Sequence, residues 1–153
     1  MSVDVQGGNV LATMWALPFE DDSVGEIWSS HTLEHCPMGQ VSVALAEWLR
    51  VLQPNARAII QVPNFDYIAK YWLAAANKDW AGRMVFGHQA NDGEFHKCAF
   101  TAALLRADLE AAGFAVLGVV VIWSHEQETL RAVCIKPDGK CMPGKELTGK
   151  GHH

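Results

Sequence analysis

Two hydrophobic periods run along this chain. A short β-like run at Val3-Asp4-Val5 is closed by Gly7-Gly8, and a second candidate strand covers Asn9 to Trp15. Glu20-Asp21-Asp22-Ser23 is a polar turn, after which Val24 to Ser30 reads as a third strand. From Val41 to Leu52 the period lengthens, because Val41, Ala44, Leu45, Trp48 and Leu52 share one helical face, and Pro54-Asn55 stops that helix. Arg57 to Val62 is a buried strand closed by Pro63-Asn64, and Phe65 to Ala76 returns to helical spacing. Residues 77–100 are polar and glycine-containing, which predicts a long loop with one short helix.

The last third is more regular. Thr101 caps a helix carried by Leu104, Leu105, Leu109 and Ala112, and Gly113 ends it. Strands follow at Ala115–Trp123 and Leu130–Lys136. This order argues for an α/β sandwich that finishes in an antiparallel hairpin. The predicted domain is 1–137, with 138–153 as a flexible tail whose Gly151-His152-His153 reads as a tag remnant.

Composition narrows the classes. With 153 residues, half of them apolar, the chain can bury one core. A net charge of -5 without a basic stripe argues against nucleic-acid partners. The longest apolar run, Ala115 to Trp123, is short of the roughly 20 residues that cross a bilayer, and the N-terminus lacks a secretory pattern. Cys36, Cys98, Cys134 and Cys141 are widely spaced, as expected of reduced cytoplasmic thiols.

Several blocks carry a resemblance. Leu17-Pro18-Phe19-Glu20-Asp21-Asp22-Ser23-Val24, then Ser29-Ser30-His31-Thr32-Leu33-Glu34-His35, then Trp48-Leu49-Arg50-Val51-Leu52-Gln53-Pro54 and Ile59-Ile60-Gln61-Val62-Pro63 stand in one order. Phe86-Gly87-His88-Gln89, Phe95-His96-Lys97 and Ala112-Gly113-Phe114 continue it. The set resembles the type 11 branch of the class I S-adenosylmethionine (SAM) methyltransferases. It implies a Rossmann-like three-layer α/β sandwich with SAM as cofactor and methyl transfer to a small-molecule or glycan-like acceptor.

The resemblance also implies roles. Asp4 holds the ribose, Leu17 and Phe19 wall the adenine, and Ser30 and His31 lie along the cofactor edge. On the acceptor side His96 is the candidate catalytic base, with His88, Gln89 and Lys97 as substrate-binding candidates. His96 and Lys97 have a second reading as anchors of the loop. Trp72 and Trp80 are candidates for an apolar wall, and Cys98 for an activated thiol, although a packing cysteine fits it better.

Departures from the pattern matter. The family's first strand and its glycine-rich turn have no counterpart upstream of Asp4, so the expected domain is N-terminally shortened. Thr13, beside Met14, stands where family members carry an acid for the adenine, and Gln53-Pro54-Asn55-Ala56 replaces K-P-G-G. Loss of a central strand calls for repair, by the Asp4 strand sliding into the gap or by a second copy of the chain, and a homodimer is the expected form. Two further functions stay open: a non-catalytic dimeric binding module that has lost SAM, and a zinc hydrolase using His31, Glu34 and His35, which form H-x-x-E-H. That last motif needs a helix, and Cys36-Pro37 discourages one. No metal is therefore expected.

Overall fold

The computed structural model describes residues 3–4, 10–75 and 77–139, and only the backbone of Val3, Asp4 and Val10. Strands β1 (Val3–Asp4) and β2 (Val10–Leu11) pair in parallel. The main sheet contains β3 (Val24–Ser30), β4 (Leu52–Pro63), β5 (Ala115–Ser124) and β6 (Gln127–Ile135) in the order β3-β4-β6-β5. β3 runs parallel to β4, whereas β6 is antiparallel to both of its neighbours. The helices are α1 (Val41–Val51), α2 (Phe65–Leu73), α3 (Lys78–Phe86) and α4 (Ala102–Ala112). This is the expected Rossmann-like α/β arrangement with its terminal hairpin. The β1–β2 pair is not hydrogen-bonded as part of the main sheet among the described residues.

The predicted apolar faces make the core. Ala44, Leu45 and Trp48 of α1 and Leu105 and Leu109 of α4 meet Ala58, Ile60 and Val62 of β4 and Leu130 and Ala132 of β6. Burying each of the larger side chains stabilises the fold by about 1.5–3 kcal/mol relative to leaving it in water. Thr101 Oγ1 accepts a hydrogen bond from the Leu104 amide at 3.2 Å, and Gly113 closes α4 at a φ of 104°.

Several boundaries differ from the sequence expectation. The second strand shrinks to Val10–Leu11, followed by an isolated bridge between Thr13 and Ala16. Pro54-Asn55 does not separate helix from strand, because β4 begins at Leu52, directly after α1. Asn55 takes a positive φ of 63° and donates its amide to the Lys136 carbonyl at 2.8 Å, so a bulge accommodates the two residues. Helix α2 ends at Leu73 rather than Ala76. The segment 77–100, expected as a long loop with one short helix, contains the nine-residue α3 and also a 3-10 turn at Asp92–Glu94. Its glycines and polar residues, such as Gly82 and Lys78, masked the helical period.

Candidate functional site

The Leu17–Asp22 segment is fixed from α1. Trp48 Nε1 donates to the Met14 carbonyl at 2.9 Å. Glu47 Oε1 accepts from the Leu17 amide at 2.8 Å, and Arg50 Nη2 reaches the Leu17 carbonyl at 3.3 Å. Arg50 also grips Glu47 through Nε and Nη2 and pairs with Asp21 through Nη1 at 2.6 Å. Two motif blocks distant in sequence thus form one unit. Leu17 packs against the core cluster and Phe19 is half-buried.

Strand β3 ends at Ser30, and open α/β sheets bind ligands beyond the carboxyl ends of their strands. The Gln61 amide donates to Ser30 Oγ at 3.2 Å, and its oxygen accepts from Arg131 Nη2 at 2.9 Å and Nε at 2.8 Å. His31 takes a left-handed φ of 50° while its amide stays bonded to the Gln61 carbonyl at 3.0 Å. A single 3-10 turn, Leu33–His35, follows. The α-helix that H-x-x-E-H needs is therefore not formed.

That turn is laced to the Phe95–Cys98 segment. The Glu34 carbonyl accepts from the amides of Lys97 at 2.7 Å and Cys98 at 3.2 Å. His35 Nδ1 lies 3.0 Å from the Phe95 carbonyl, and His96 Nδ1 lies 2.7 Å from the Met84 carbonyl. A carbonyl only accepts, so both imidazoles carry a proton on Nδ1, and the lone pair of either ring in its neutral form is on Nε2. The two rings meet edge to face with centroids 5.0 Å apart.

Glu34 sits behind them with 2% of its surface exposed, and neither carboxylate oxygen has a hydrogen-bond partner. His31 Nδ1 lies 3.3 Å from Oε1 but outside hydrogen-bond geometry. Ser29 Oγ and His31 Nε2 are likewise buried without partners. Burial lowers the His96 pKa from the ordinary histidine range, opposed by its bond to the Met84 carbonyl and by Glu34, and favours the neutral ring. A small, shallow cavity, open to solvent, is lined by Glu34, His96, Met84, Phe65, Ile68 and Phe100 among others.

The structure thus joins His31, Glu34, His35 and His96, and sets other candidates apart. His88, Gln89 and Lys97 are exposed and do not line the cavity. The Asp4 side chain lies outside the described residues. Trp72 and Trp80 belong to aromatic contacts between α2 and α3, with Phe86 and Tyr71 at 5.8 and 5.3 Å. Burial first, then the Cys36 thiol, pushes the Cys98 thiol up to about 12, and its Sγ donates to the Leu33 carbonyl, so it packs rather than reacts. Sequence reasoning missed Arg131 and His125, whose ring lies 4.4 Å from that of His31. Only the hairpin places them here, and neither sits in a motif.

The cofactor fit is one-sided. The fixed Leu17–Phe19 segment and the unpartnered Ser29 Oγ and His31 Nε2 suit the adenine and β3 sides of a nucleoside cofactor. No glycine-rich turn ends a strand beside β3 among the described residues.

Comparison with known proteins places this geometry. Residues 3–60 match the family described as a methyltransferase domain. No curated protein sequence matches the chain. Among solved structures, a SAM-dependent methyltransferase of Methanosarcina mazei is 18% identical, with a TM-score of 0.62 over 86% of this chain and 69% of that one. The Burkholderia thailandensis 1,6-didemethyltoxoflavin-N1-methyltransferase, solved with 1,6-didemethyltoxoflavin and S-adenosylhomocysteine, is 15% identical, with a TM-score of 0.61 over 89% of this chain and 60% of that one. A protein from a Haloferax volcanii complex with a methyltransferase activator is 17% identical, with a TM-score of 0.60 over 84% of this chain. The chain spans only 60% of that Haloferax protein. The chain shares the fold of class I SAM-dependent methyltransferases, and its residues 3–60 match the methyltransferase-domain family.

Proposed function

We propose that this chain is a methyltransferase domain that takes a small-molecule or glycan-like acceptor into the Glu34–His96 cavity. The observation that carries the reading is the place of that cavity. Pro63, at the carboxyl end of β4, lines it, and His96 faces it with a neutral ring whose proton is held on Nδ1. SAM, the family's cofactor, would supply an electrophilic methyl group. The residues named for it are Leu17, Phe19, Ser30 and His31, with Asp4 for the ribose.

The protein's own contribution is mostly positioning, since methyl transfer needs an in-line acceptor more than acid–base help. Gly87 and the Phe86 carbonyl hold the His96 segment in place, and Nε2 of His96 can take a proton from a hydroxyl or amine. Incubation with methyl-labelled SAM and a panel of small hydroxyl and amine acceptors tests this. Label transfer that falls at least tenfold in His96→Gln supports the reading, whereas transfer to no acceptor opposes it.

A second reading, a non-catalytic dimeric binding module, is favoured by one observation: the lack of a glycine-rich turn among the described residues. Homodimerisation itself has separate support. Among the described residues β3 hydrogen-bonds as a strand only to β4, and Trp28 on it is 58% exposed.

A further inference from the structure

We propose that Glu34, His35 and His96 form a binding site for a divalent transition-metal ion of the zinc class. One ligand atom from each side chain already lies within 4.8 Å of the others. Zinc bound to nitrogen or carboxylate oxygen at about 2.0–2.1 Å needs its ligands about 3.3 Å apart, so small side-chain rotations close the set.

Three features point to a ligand rather than to packing. Both histidines are held through Nδ1 by a backbone carbonyl, Phe95 for His35 and Met84 for His96. This second hydrogen bond is how metal-ligating histidines are oriented, and it leaves both Nε2 lone pairs for a cation. Glu34 supplies the negative charge. Its carboxylate is buried and neither oxygen accepts a hydrogen bond, an arrangement that is costly unless something positive completes it. Finally, the three donors belong to two segments locked together at the backbone by the bonds from Lys97 and Cys98 to the Glu34 carbonyl. The donor set, two imidazoles and one carboxylate, suits zinc and related ions.

This set differs from H-x-x-E-H. His31 stands beside the Glu34 carboxylate without hydrogen-bonding it, and His96 takes its place as ligand. Because Glu34 and His96 both line the cavity, the ion's remaining positions open toward it and accept water or an oxygen or nitrogen of the bound molecule. The inference rests on the proposed function only in assigning the cavity to an acceptor. In the metal-loaded form His96 Nε2 is a ligand and no longer takes a proton.

Zinc titration by calorimetry, after chelator treatment, tests the site. It uses the full chain carrying His152→Ala and His153→Ala, which removes the adjacent terminal histidines as competing ligands. The expected result is one zinc ion per chain at micromolar or tighter affinity, weakened about 100-fold or more by His35→Ala, His96→Ala or Glu34→Gln. Cobalt in place of zinc should give a visible absorption band that His35→Ala abolishes. The His35 ring is half-exposed, so that variant keeps the test valid even where His96→Ala fails to fold. Absence of stoichiometric binding, or binding unaffected by His35→Ala, overturns the proposal. The titration contains neither SAM nor acceptor, so its outcome is independent of methyl transfer.

Discussion

The imidazoles of His35 and His96 meet edge to face at 5.0 Å, each with its Nδ1 hydrogen committed to a main-chain carbonyl. Two sequence blocks therefore converge on one spot: the turn after β3 and the segment that follows α3. The loop between α3 and α4 contributes to this site by being folded back, and its fold rests on a few backbone features.

Gly87 is the first of these. It has a φ of 81°, and a Cβ there would collide with the Glu94 carbonyl oxygen and crowd the His96 amide. Gly87→Ala should cost about 1–3 kcal/mol in strain and detach His96 from the Met84 carbonyl. Thermal unfolding reads the first effect, and the His96 imidazole resonances in NMR read the second.

Glu47 predicts an acid-dependent loss of stability. Hydrogen bonds from Arg50, aided by the Leu17 amide, hold its carboxyl below the usual carboxylate range despite burial. A depressed carboxylate contributes fully above its unfolded value of about 4.3, and that contribution disappears as pH falls through the folded value. Urea unfolding of the wild type should weaken between pH 6 and pH 3. Glu47→Gln should be less stable at pH 6 by about 1–2 kcal/mol and show a shallower acid-side loss.

The ends of α4 give a third prediction. Thr101→Ala removes the acceptor for the Leu104 amide and should cost about 1 kcal/mol. Gly113→Ala should cost at least as much, because φ is 104° and the new methyl meets Leu49 Cδ2 at 3.1 Å. Chemical denaturation of both variants measures this.

The exposed Trp28 face should be an interface between copies. Sedimentation at micromolar concentrations should show a dimer, and Trp28→Lys should shift it to monomer. A monomer throughout would leave the β3 edge without the proposed partner.

Periodicity located α1 and α4 closely, because each buries a continuous stripe such as Val41, Ala44, Leu45 and Trp48. It gave no bounds for α3, the short helix expected within 77–100, because only Ala81 is fully buried there and no stripe exists to read. Pro54-Asn55 misled for a different reason: a positive φ at Asn55 absorbs the pair within a strand, which local breaker rules do not anticipate. The site was half legible. His96, Ser30 and His31 stood in recognisable blocks, but the partnership of Glu34 and His35 with His96 is a tertiary fact. It depends on backbone bonds from Lys97 and Cys98 that no spacing encodes.

The most direct test of the methyltransferase reading is calorimetric titration of S-adenosylhomocysteine and SAM into the purified chain. Micromolar binding of both, weakened about tenfold or more by Asp4→Ala, is the predicted result. A chain that stays folded yet binds neither at millimolar concentration would contradict the account and favour the non-catalytic binding module.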